Sequence, residues 1–293
     1  MLPSLVAFAT LGLLTAAGGA PLVAPDGAPA LDAAAPNPCG NATQPLTPST
    51  KNVLLIGDSI SMTPPYTPGG YGHALELLLT AKGVAVQHAG GNYGGGQCAD
   101  TRQGLVCTNL TNPAGYLNFA GRFDLIHFNY GLHVRALSLE LAPHAPPPAL
   151  TAPARTYTPP LPPQDLANYS AALPRLPLPE YGANLQTIYK NLAQKADKVM
   201  WVSTTPCPNV PTSYGRSYIL VEEYNAQALR SLSAVAGSGG MLVDDLWTAM
   251  VKFCGVDYKS CTLQLPANVH LTPAGEQFLA GVAAKSILAA LGM

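Results

Sequence analysis

Charge is what this sequence has least of. Only 11% of its 293 residues are Asp, Glu, Lys or Arg, and 15 basic against 16 acidic side chains leave a formal charge of −1. No basic surface of the kind that holds nucleic acid phosphates is implied, so nucleic acid is excluded as a partner. Metal-binding patterns are also missing. There is no CxxC, no HExxH and no Cys/His cluster, which leaves neither a metal site nor a cofactor to propose. The glycine-rich run Gly90–Gly96 lacks the Lys and Ser/Thr of a phosphate loop. Six cysteines are too few for a fold built on disulfides. No segment after the N-terminus matches the apolar run Leu5–Leu14, so no stable membrane span is expected in the mature chain.

Apolar residues are plentiful, at 48% of the chain, and a sizeable core is expected. Gly 28 and Pro 29 stay below the level of low-complexity chains but predict long irregular segments. Residues 1–20, an apolar run followed by Ala-Ala-Gly-Gly-Ala20, have the layout of a secretory signal peptide, although without the usual early Lys or Arg. A secreted, extracellular chain follows from that reading. Three sequons, at Asn41, Asn109 and Asn168, fit a glycoprotein. In an oxidising compartment the cysteines can bridge, and spacing favours Cys98 with Cys107, Cys254 with Cys261 and, by remainder, Cys39 with Cys207. Free buried thiols are the alternative.

Residues 21–50, rich in Ala, Pro, Gly and Thr, read as a flexible linker, and 51–293 as one domain. Short apolar runs at Val53–Ile56, Val84–Val86, Leu125–Phe128, Val199–Val202 and Met241–Val243 predict buried strands. Between them, helices are expected at Ala74–Ala81, Asn184–Ala196 and Glu222–Val235. A closing helix at Pro273–Leu291 is capped by Thr272. This alternation implies βαβ crossovers, hence an α/β fold: three layers, α/β/α, around a mostly parallel central sheet. Twelve prolines between Pro143 and Pro179 predict an exposed insertion with neither core strand nor helix.

Strand Val53–Ile56 runs straight into Gly57-Asp58-Ser59. Ligands gather at the carboxyl ends of parallel strands, so a hydroxyl just past a sharp turn there is placed as a nucleophile, although a helix cap gives the same string. A serine needs a base, and the loop Asn268-Val-His270-Leu-Thr-Pro-Ala-Gly275 supplies an imidazole ahead of the last helix. His127, on the third strand, reads as a core histidine.

These blocks in this order resemble the SGNH (GDSL-type) hydrolase family over about residues 51–291. The resemblance implies an SGNH/flavodoxin-like fold and hydrolysis of esters. Ser59 matches the nucleophile and His270 the base; oxyanion donors would come from the backbone N–H groups of Ser59 and Gly94 and from the side chain of His133. Asn129 competes with His133 for the last role. The family's acid commonly stands three residues before the histidine, where this chain has Ala267, or in a subset two before, where it has Asn268. An Asn carbonyl can hold the imidazole tautomer but cannot neutralise the imidazolium, so the site would be slow, act as a dyad, or borrow Asp244 or Asp245. The expectation is a secreted serine esterase acting on small-molecule or carbohydrate esters, acetyl esters among them. The alternative is a binding protein that keeps the fold without turnover.

Overall fold

The computed structural model describes residues 39, 45–48, 50–61, 70–89, 100–132, 176–208, 218–237, 240–255 and 261–293. Five strands form the frame: β1 (Lys51–Ile56), β2 (Val84–His88), β3 (Leu125–Phe128), β4 (Val199–Val202) and β5 (Leu242–Asp244). They pair in the order β2-β1-β3-β4-β5, and every pair is parallel. Strands covered on both faces should be apolar throughout, and all of β3 and β4 and all of β1 beyond Lys51 are buried.

Alternation along the strands divides the core in two. Leu54, Ile56, Ile126, Phe128, Val199 and Trp201 pack towards α3 (Leu178–Ala193) and α4 (Tyr218–Ser233). Val53, Leu55, Leu125, Met200 and Val202 pack towards α1 (Gly72–Thr80), α5 (Leu246–Cys254) and α6 (Pro273–Leu291). The result is the three-layer α/β/α architecture that the alternation implies. α3 turns Tyr181, Leu185, Ile188, Tyr189 and Leu192 inward, a spacing that keeps one helical face apolar. Thr272 caps α6 by accepting from the Gly275 N–H, with Pro273 at the first position.

Several expectations change. The segment between Cys98 and Cys107 holds α2 (Thr101–Cys107), which Asp100 caps by accepting from Arg102 N at 2.8 Å and Gln103 N at 3.2 Å. α3 starts at Leu178, well before Asn184, because Leu178-Pro179 fall in its first turn, where proline costs no hydrogen bond. Leu176 just before it is fully buried, whereas Pro177 and Pro179 are exposed, so the described end of the proline-rich stretch 143–179 meets the core at Leu176. Its residues 143–175 lie outside the described residues, as do the signal at 1–20 and the sequons at Asn41 and Asn168.

Cys39, completely buried, bridges to Cys107, which overturns both the expected Cys98–Cys107 and the expected Cys39–Cys207 pairings. The stretch 21–50 is therefore tied to the domain near its end, where Thr47 N also donates to Asn52 Oδ1 at 2.8 Å. Cys254 pairs with Cys261 as its spacing predicts. Asn109 is exposed, and its Oδ1 accepts from both the N–H and the hydroxyl of Thr111 at 3.0 Å. Among the described residues no helix is long and apolar enough to cross a membrane.

Candidate active site

β1 leaves the sheet at Ile56 and turns at once. Asp58 Oδ1 accepts from Ile60 N at 2.9 Å, while Asp58 O accepts from the N–H and the hydroxyl of Ser61 at 3.0 Å, which winds Ser59–Ser61 into a single 3-10 turn. The turn closes tightly at Gly57, where an added Cβ would lie 2.1 Å from Ser61 Oγ. Ile60 and Ser61 are buried, but Ser59 stays half-buried and within reach of a ligand. β2 and β3 flank β1 on opposite sides, so the strand order reverses at β1. In open α/β sheets the crevice at such a reversal, outside the carboxyl ends of the strands, is where ligands bind. Ser59 stands there.

His270 belongs to a small hairpin. Gln264 and Leu271 form an antiparallel bridge, Leu265 N donates to His270 O at 2.9 Å, and Thr272 N donates to Leu263 O at 3.0 Å. The hairpin reaches the sheet through Gln264 Nε2, which donates to Pro206 O at 2.8 Å, four residues past the end of β4. Ser59 and His270, more than two hundred residues apart in sequence, are thus carried on the same carboxyl edge, at β1 and beyond β4. The first turn of α6 closes against the hairpin at Gly275, whose missing Cβ would sit 1.9 Å from Leu263 O.

The imidazole is oriented by Asn268. Asn268 Oδ1 lies 2.8 Å from His270 Nδ1 and also accepts from the His270 backbone N–H at 3.1 Å. That backbone donor requires the oxygen end of the amide to face the ring, so the ring nitrogen beside it must carry the proton. Nδ1 is then the donor and Nε2 holds the lone pair, the tautomer a general base needs. Ala267, which fills the position of the commoner acid, has φ 53°, in the left-handed region. For a residue with a Cβ this costs about 1–2 kcal/mol.

Other candidates are occupied elsewhere. Both amide protons of Asn129 are taken, by Val202 O at 2.7 Å and Thr204 Oγ1 at 3.0 Å, so Asn129 does not compete as an oxyanion donor. Asp244, fully buried, bonds His127 Nε2 at 2.9 Å and Ser286 Oγ at 2.9 Å; Asp245 accepts from Thr248 N and Ser203 Oγ at the start of α5. Neither carboxylate is borrowed by His270. Gly94 and His133 lie outside the described residues.

Beneath the Ser59 turn, Asp58, Ser61, Tyr71, Asn129, Ser203 and Thr204 line a cavity of about 20 Å³, room for one water molecule. Burial first, and then the Asp244 and Asp58 carboxylates, push the Tyr71 phenol well above its ordinary pKa, so Tyr71 stays a neutral wall of that cavity. Among the described residues no group of three His, Cys, Asp or Glu side chains is placed to hold a metal.

No family model and no curated protein matches the sequence. Solved structures do. A candidate acylhydrolase from Bacteroides fragilis, 15% identical, superimposes with a TM-score of 0.52 over 85% of this chain and 91% of its own. A GDSL-like lipase from Bacteroides thetaiotaomicron is 14% identical, with a TM-score of 0.48 over 82% and 89% of the two chains. An acetylxylan esterase from Geobacillus stearothermophilus is likewise 14% identical, with a TM-score of 0.47 over 83% and 94%. At these identities the likeness establishes the fold, and the Bacteroides fragilis structure carries it.

Proposed function

We propose that this chain is a secreted serine esterase of the SGNH type, acting on acyl esters of small molecules or carbohydrates, acetyl esters among them. The observation that carries the reading is the Asn268–His270 hydrogen bond at 2.8 Å, which presents an imidazole in the basic tautomer on the sheet edge that also holds Ser59. The fold shared with a candidate acylhydrolase supports it.

In the first step Ser59 Oγ bonds to the ester carbonyl carbon as its proton passes to His270 Nε2. The C–O bond to the alcohol then breaks, and the alcohol leaves with that proton. In the second step water gives a proton to His270 and attacks the acyl-serine; the proton returns to Ser59 as the carboxylic acid departs. Oxyanion donors are assigned to the N–H groups of Ser59 and Gly94 and to His133. Asn268 keeps the ring in register, but it brings no negative charge to offset the imidazolium. The Cys39–Cys107 and Cys254–Cys261 bridges suit an oxidising, extracellular location, and the exposed Asn109 sequon suits a glycoprotein.

A second reading, a carbohydrate-binding protein without turnover, draws on one observation: an amide stands where a carboxylate would stabilise the transition state. Hydrolysis of p-nitrophenyl acetate separates the two. The esterase reading expects turnover that Ser59→Ala lowers at least ~1,000-fold; equal rates in the two proteins refute it.

A further inference from the structure

The hairpin that bears His270 has one buried polar side chain, Gln264, only 5% exposed. Its Nε2 donates in two directions: to Pro206 O at 2.8 Å, on the segment leaving β4, and to Val269 O at 3.2 Å, the carbonyl immediately before His270. One amide group therefore joins the return limb of the hairpin to the sheet edge. Its Oε1 is buried and accepts no hydrogen bond among the described residues. A buried acceptor left unmatched is a penalty that an apolar side chain of the same size would avoid, so what the glutamine contributes lies in its two donors.

From these contacts we infer that Gln264 is a positioning residue for catalysis, fixing the height of His270 over the carboxyl edge and so its distance from Ser59. This rests on the esterase reading above. Leu263, Val269 and Leu271 seat the hairpin in the apolar core, a packing without the directionality of a hydrogen bond. Leu265 N and Thr272 N close the hairpin on itself without reaching the sheet, the Cys254–Cys261 bridge anchors only its entrance, and Gly275 fits α6 against its outer limb. Gln264 links the carbonyl next to the imidazole to the segment leaving β4. Proton transfer is steeply sensitive to such placement, and a displacement of about 1 Å can cost a hundredfold in rate.

The test is a double-mutant cycle on the full chain, with p-nitrophenyl acetate as substrate, using wild type, Gln264→Met, His270→Ala and the double variant. Methionine fills the space without donating. Gln264→Met is expected to lower kcat at least ~10-fold with KM changed less than ~2-fold, and to alter the residual rate of His270→Ala by less than ~2-fold, because its effect passes through the imidazole. An equal loss in both backgrounds, or wild-type kcat in Gln264→Met, overturns the proposal.

Should Gln264→Met not fold, Gln264→Glu keeps the shape. Ionised it donates nothing and protonated it donates once, so its kcat must fall below wild type; full kcat overturns the proposal equally. Ser59→Ala, assayed alongside, separates the two levels of failure. A wild-type rate there removes the esterase reading and this proposal together, whereas an inactive Ser59→Ala beside a fully active Gln264→Met removes this proposal alone.

Discussion

On the esterase reading proposed above, Asn268 limits the rate this site can reach. It supplies the geometry of a triad acid, a single acceptor at 2.8 Å from Nδ1, without the charge. In serine proteases exchanging the triad Asp for Asn costs about 10⁴ in kcat. Asn268→Asp reverses that exchange at a position already in contact, so kcat for p-nitrophenyl acetate should rise at least ~10-fold with little change in KM. An unchanged or lower kcat would show that the ring is not the working base. The position of Asn268 could be read from the sequence because it lies two residues from His270, and contacts that short follow from local spacing. Gln264 could not, since its partner Pro206 is 58 residues away and no periodicity marks a loop glutamine. Asp244 and Asp245 looked interchangeable as adjacent carboxylates; burial under α6 commits one to His127 and capping of α5 commits the other.

The strands were the most legible elements, because a segment covered on both faces must be apolar throughout and short runs such as Val199–Val202 have no polar alternation to blur them. α2 and α5 escaped notice. Each is under ten residues, takes its start from an Asp cap, and adjoins a cysteine that reads as part of a loop. The start of α3 was hidden by prolines that the first turn of a helix tolerates. Between elements, the least expected feature is the chain from the buried His127 on β3 through the buried Asp244 on β5 to the half-buried Ser286 on α6. Replacing Asp244 by Ala leaves the buried His127 ring nitrogen without its partner, while Ser286 Oγ keeps Val282 O, at a cost of about 1–3 kcal/mol. Urea unfolding should show a correspondingly lower midpoint, with Asp244→Asn losing less. An unchanged midpoint for Asp244→Ala would mean the network contributes nothing to stability.

Taken as a whole molecule, the sheet order does what no local segment can. Parallel crossovers carry the turn after β1 and the hairpin before α6 to one edge, so a hydroxyl and an imidazole distant in sequence share a rim. The class and layering of the fold followed from the sequence because they depend on element order alone. The attachment of the chain around Cys39 did not, because pairing Cys39 with Cys107 requires knowing that α2 ends beside the start of the domain.

The shared rim is the central claim, and covalent capture tests it most directly. A fluorophosphonate ester reacts only with a serine whose proton a neighbouring base removes. Mass spectrometry of the treated protein should find one adduct, on Ser59, forming at least ~100-fold more slowly in His270→Ala. Labelling of another residue, or capture of Ser59 at the same rate without His270, would contradict the account.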